Sequence, residues 1–276
     1  MSAHNLILKE STSSTFRNKP IPKPSGIPVP FEYNASDDGT DENLLILLHG
    51  LGDTQKPFAR LGKSLKLPQT ATLALRAPDL IPFLYEEAYQ WYTSFDPLGD
   101  LLSNPNPTPA VELLVRVFTY LTQECAWPPE RIHLFGFAQG GTVTAEAGVQ
   151  WWRKEQERAR KAQISEVGDS GTAAPVPGPR ALGSIVSVGG PLLSYPTSQP
   201  PCPTPVLVAH RPSELPAGAV AAFKKAFSSF TDVSMGRGEG MPRSRDEWEP
   251  IMRFWSEKLA RRQMDGLYEV MSGTAP

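Results

Sequence analysis

The strongest pattern along the chain is a series of short apolar runs separated by stretches with helical spacing. Residues 44–48 are uninterrupted aliphatic sequence, the mark of a strand buried on both faces. Shorter apolar runs at 72–75, 182–188 and 205–209 predict further buried strands, and 232–235 a brief one. An alternating run (Ile132, Leu134, Phe135) predicts another, and 28–33 reads as an edge strand. Between them, Phe58, Leu61 and Leu65 predict a helix. Val111, Leu114, Val117, Phe118 and Leu121 line one face of a second helix over 109–124, which Pro128-Pro129 ends. A third starts at Gln139 and runs through Trp151-Trp152 into the charged segment RKEQERARK. Helices are also predicted over 217–230 and from about 246 to 263, the latter carrying Trp248, Ile251, Trp255 and Leu259. Strands alternating with helices predict an α/β fold, a mostly parallel central sheet with helices on both faces.

Several segments fall outside this rhythm. Residues 1–25 hold one short apolar run and a Ser/Thr- and Lys/Pro-rich stretch, which predicts a loosely ordered lead-in. Residues 78–108, rich in Pro and aromatic side chains, predict a long excursion over the sheet edge. Residues 153–181 are expected to form a flexible insertion, its latter part rich in Gly, Ser, Ala and Pro. The expected organisation is one domain over 26–263 followed by a C-terminal tail over 264–276.

Composition narrows the function classes. The 276 residues suffice for a full core, and a net charge of −2 gives no electrostatic reason to expect a nucleic-acid partner. Two cysteines, Cys125 and Cys202, are too few for a disulfide framework or a zinc site, which favours a reducing compartment. The N-terminus has no long apolar core and no run approaches a membrane span, so a cytoplasmic protein is expected. The basic segment 153–161 leaves a nuclear location open. No metal cluster, phosphate loop or dinucleotide fingerprint is present, so no metal and no cofactor is expected.

The chemistry centres on Arg131–Gly141, RIHLFGFAQGG. A strand, a tight glycine-flanked turn and an immediate helix is the layout of the nucleophile elbow G-x-S-x-G of α/β-hydrolases. The central residue is Ala138, whose methyl group cannot attack a carbonyl. LLHGLGDT at 47–54, GFAQGG at 136–141 and EGMPRS at 239–244, in this order and spacing, resemble the acyl-protein thioesterase/carboxylesterase (phospholipase/carboxylesterase) family of α/β-hydrolases. That resemblance implies an α/β-hydrolase fold and activity on acyl esters or thioesters.

Carried over by position, the resemblance puts the family's nucleophile at Ala138 and its histidine at Arg243. Its aspartate falls on Glu214 if His210 is aligned with a family histidine; Arg211-Pro212 departs from the pattern there. Backbone donors of the oxyanion hole fall on Leu51 and Gln139, and Phe95-Asp96, with Trp91 nearby, resemble an element beside the acyl pocket. Guanidinium does not act as a base at physiological pH, so the family mechanism is not available. Two departures together read as natural loss rather than deliberate inactivation. The expectation is a pseudo-enzyme that binds an acyl-bearing small molecule, an acylated protein or another protein partner. An active ester or thioester hydrolase using water held by His210 or Glu214 stays open. So does an interaction scaffold docking through 153–181 and the Trp pair.

Overall fold

The computed structural model describes residues 18–82, 86–166, 178–194, 200–212 and 214–262, together with the backbone of strands Ile7–Lys9 (β1) and Glu269–Met271 (β11). β1 and β11 pair antiparallel. The central sheet takes its strands from Phe31–Asn34 (β2), Asn43–Leu48 (β3), Thr70–Leu75 (β4), Ile132–Phe137 (β7), Ser184–Val188 (β8), Val206–His210 (β9) and Phe230–Ser234 (β10). Their spatial order is β10-β9-β8-β7-β3-β4-β2, with only β2 antiparallel to its neighbour. A two-stranded ribbon, Asp79–Leu80 (β5) with Tyr89–Gln90 (β6), lies within the excursion after β4.

Alternation along the buried strands sorts side chains to opposite faces. Leu44, Ile46 and Leu48 enter a core shared with Thr108–Gln123 (α2), Gln139–Glu166 (α3) and Ala219–Ala226 (α4). Leu45 and Leu47 enter a second core with Gln55–Ser64 (α1) and Arg245–Lys258 (α5). β3 and β7 pair in register from Leu44–Ile132 to Leu48–Gly136, so the loop after β3 and the turn after β7 leave the sheet side by side. In parallel sheets this carboxyl edge is where ligands bind.

Four expectations change. The helix expected to run from Gln139 into RKEQERARK does so and continues to Glu166 as α3, 28 residues long, so 153–166 are not part of a flexible insertion. Trp151 packs edge-on against Phe118 and its indole donates to the Arg180 carbonyl at 2.9 Å, while Glu155 accepts the Arg180 amide. Of the remaining stretch, 167–177 lie outside the described residues, and Arg180 is held by the contacts just named. The lead-in is tied down over 18–25: Lys19 Nζ donates to the Ala126 carbonyl and the Lys23 amide to the Tyr120 hydroxyl. Finally α5 ends at Lys258 rather than near 263, and the C-terminal tail contributes β11. α4 is likewise shorter than the predicted 217–230, because Phe227 turns extended and the chain enters β10.

Candidate active site

β7 ends at Phe137 and α3 begins at Gln139, so Ala138 alone makes the turn, at φ +48°. A side chain in this left-handed region is strained, and such strain clusters at functional sites. The surrounding loops come too close for side chains. A Cβ on Gly136 would lie 2.2 Å from the Gly140 carbonyl oxygen, and one on Gly140 would lie 2.5 Å from that of Leu48. The Ala138 amide donates to the Val188 carbonyl at 2.8 Å, which fixes the tip against β8. A Cβ on Gly50 would sit 3.6 Å from the Ala138 methyl carbon, placing the His49–Gly52 loop directly beside the tip.

That loop is built around His49, which is fully buried. Its Nδ1–H donates to the Gly50 carbonyl at 2.7 Å and its Nε2 accepts the Ala77 amide at 2.9 Å. These partners select the neutral Nδ1–H tautomer, and burial lowers the pKa further. His49 is thus committed to shaping the loop. Trp91 is buried too; its indole donates to the His49 carbonyl at 2.8 Å. Gln139 holds the same region from the other side. Its Oε1 accepts the Trp91 amide, and its Nε2 donates to the Tyr92 carbonyl and the Ser94 hydroxyl. Among the described residues, the Leu51 and Gln139 amides meet no acceptor, whereas the Gly52 amide is taken by the Tyr89 carbonyl. Leu51 and Gln139 are the positions where the family resemblance puts the oxyanion donors.

Phe95 is 42 % exposed and bridges to Leu101, and the Asp96 carboxylate accepts the Leu98 and Asp100 amides, closing its own turn. Asp53 likewise accepts the Thr54 amide at the start of α1.

Glu214 reaches this edge from the loop after β9. Its carboxylate accepts the Arg211 amide at 3.1 Å and the Gly240 amide at 3.2 Å, and a Cβ on Gly189 would lie 3.3 Å from it. A Cβ on Gly240 would in turn lie 3.9 Å from the Phe137 ring, so the loop after β10 borders the elbow. Arg243 follows on that loop. Its amide donates to Glu247 at 2.8 Å and its residue surface is exposed. The His210 ring nitrogens face the Arg211 carbonyl (3.1 Å) and the Asp232 carboxylate (3.0 Å). Asp232 lies on the edge strand β10, on the side of β9 opposite to β7. His133 sits within β7, with Nδ1 on the Ser184 hydroxyl.

Sequence reasoning missed Arg211. Its side chain is 2 % exposed; Nη1 donates to the Gly236 carbonyl (2.8 Å) and Glu247 (2.7 Å), and Nη2 reaches the Met241 carbonyl (3.4 Å). The guanidinium holds the Glu247 carboxyl down to about 2, with help from the Arg243 amide. Glu247 and Ser244 form the S-x-x-E pair that starts α5, Ser244 Oγ accepting the Glu247 amide. Among the described residues no group of three or more His, Cys, Asp or Glu is placed to hold a metal ion.

Sheet order, elbow and loop arrangement define an α/β-hydrolase. Residues 34–156 match the Phospholipase/Carboxylesterase family profile. An uncharacterized hydrolase of Mycosarcoma maydis is 35 % identical over 246 residues, covering 84 % of this chain and 82 % of the relative. A second uncharacterized hydrolase, from Schizosaccharomyces pombe, is 33 % identical over 113 residues, 38 % of this chain and 46 % of its own. Among solved structures, Zea mays acyl-protein thioesterase 2 superposes with a TM-score of 0.59 at 19 % identity, over 84 % of this chain and 100 % of that one. Esterase PE8 gives 0.58 at 20 % identity, over 84 % and 98 %. The chain belongs to the phospholipase/carboxylesterase family of α/β-hydrolases. No helix among the described residues is long and apolar enough to cross a membrane.

Proposed function

We propose that this chain is a pseudo-enzyme of its family, which binds an acyl-bearing ligand or acylated protein at the elbow and does not turn it over. The single observation that carries the reading is Ala138 at the strained tip, φ +48°, where the family resemblance puts the nucleophile. Acyl transfer needs a nucleophile, a base and oxyanion donors. The tip supplies a methyl group, Arg243 supplies a permanent cation in place of a base, and only the donors remain. Donors and binding alone support roughly 10³–10⁴-fold acceleration over water, below the ordinary range of enzymes. The retained loop scaffold around His49, Trp91 and Gln139 supports binding, because it keeps two donors in place at a site without a nucleophile.

The test is hydrolysis of short- and medium-chain acyl esters and thioesters by purified protein, with fluorophosphonate labelling alongside and Ala138→Gly as control. The reading expects no label, and no turnover above the control. Turnover that copurifies with the chain and disappears on Glu214→Gln would overturn it.

A further inference from the structure

We propose that Arg211 is a third disabling change in the elbow site, which silences Glu214 as the carboxylate partner of any base on the 236–243 loop. The inference rests on the reading of Ala138 as a lost nucleophile and deepens it. A base that takes a proton during acyl transfer becomes a cation, and the acid of a triad works by orienting and stabilising that cation. Glu214 is well placed for that role, since its carboxylate bonds the Gly240 amide on the same loop as Arg243. It is not free for it. The Arg211 Nε lies 3.9 Å from Glu214 Oε1, on a side chain only 2 % exposed, and that Nε has no hydrogen-bond partner among the described residues. A guanidinium keeps its charge at any working pH. A second cation forming on this loop would therefore find Glu214 already facing a fixed guanidinium, whose closer partner is Glu247.

The same guanidinium also sets the loop itself. It spans the Gly236 and Met241 carbonyls and Glu247, while Glu247 takes the Arg243 amide. The backbone at 243 is therefore tied to α5 by the same Glu247 carboxylate that Arg211 holds. Restoring the two losses visible in the motifs would leave this arrangement intact.

The experiment compares two proteins by hydrolysis of 4-nitrophenyl butyrate, the pH profile of kcat/KM, and fluorophosphonate labelling. The first carries Ala138→Ser with Arg243→His. The second adds Arg211→Gln, which removes the charge but can still donate to a loop carbonyl. Where that protein does not fold, Arg211→Gly with Glu247→Gln replaces it, so that no carboxylate is stranded. The first protein is expected to stay within about 10-fold of the Arg243→His single variant. The second is expected to gain about 10²-fold or more, with kcat/KM rising through an imidazole titration near pH ~6.5. Two results overturn the proposal: full activity with that pH profile in the first protein, or a folded second protein that stays silent. Hydrolysis by the unaltered chain removes the reading of Ala138 instead, so the two failures are distinct.

Discussion

The Gln139 side chain and the Trp91 backbone are joined by a 2.9 Å hydrogen bond from the Trp91 amide to Gln139 Oε1. The residue that follows the elbow tip therefore also anchors the aromatic loop beside it, and Nε2 completes the clamp on Tyr92 and Ser94. Gln139→Ala leaves buried partners unsatisfied and is expected to cost about 1–3 kcal/mol in urea unfolding. Gln139→Glu keeps the acceptor for Trp91 but loses both donors. It should destabilise as well, and a Gln139→Glu protein as stable as the parent at pH 8 would show that the clamp contributes nothing.

The turn makes its own prediction. Ala138→Gly relieves a left-handed backbone at the cost of greater unfolded-state freedom, so stability should change by no more than about 1 kcal/mol. Ala138→Val puts a branched side chain in the same conformation and should be clearly worse. Gly140→Ala would push a Cβ to 2.5 Å from the Leu48 carbonyl oxygen, and should cost more than about 4 kcal/mol or prevent soluble expression. Thermal and urea midpoints of the three proteins rank them directly.

His49 links the loop to the segment after β4, since its Nε2 accepts the Ala77 amide. His49→Phe preserves ring volume but strands that amide and the Gly50 carbonyl. The expected loss is about 2 kcal/mol or more, with faster hydrogen exchange at Ala77. His49→Asn, which can satisfy at most part of this pattern, should fall between His49→Phe and the parent. Equal stability of all three would remove the structural role assigned to the ring.

Acid should weaken the fold earlier than its carboxylates alone would. His133 is fully buried, and burial pushes its imidazole down to about 3. A histidine whose pKa falls on folding binds more protons when unfolded. Its contribution is complete above the unfolded value near ~6.5 and declines as pH falls, by about 1.4 kcal/mol per unit down to the folded value. His49 shifts in the same direction. Glu247, held at about 2, loses its contribution only between an unfolded value of 4.5 and that point. Urea midpoints at pH 7.5, 6.0 and 5.0 should fall progressively, and His133→Gln should flatten the slope. An unchanged slope in that variant would assign the acid sensitivity elsewhere.

Much of the sheet was legible because burial on both faces leaves a local signature. The run at 44–48 could be nothing but an interior strand, and the elbow motif carried the β7–α3 junction with it. The charged stretch after Trp152 drew two readings, a continuation of the helix and the start of an insertion, and the first holds. Its exposed residues carry no apolar stripe, yet it continues α3 because the helix is already nucleated upstream and Glu155 closes onto Arg158 and the Arg180 amide. Arg211 was illegible for a different reason. Its partners lie 25 to 36 residues away, at Gly236 and Glu247, and meet only when the loops after β9 and β10 close over the start of α5. No spacing rule reaches across two loops. A loop arginine reads as solvated until the fold buries it.

The uninterrupted 28-residue α3 is about 42 Å long, and its first residue is the one that follows Ala138. Both ends of such a rod are set by one packing arrangement, since it lies against α2, β7 and β8. Its first turn is thereby held by the sheet, and the Gln139 side chain keeps its fixed place beside the tip.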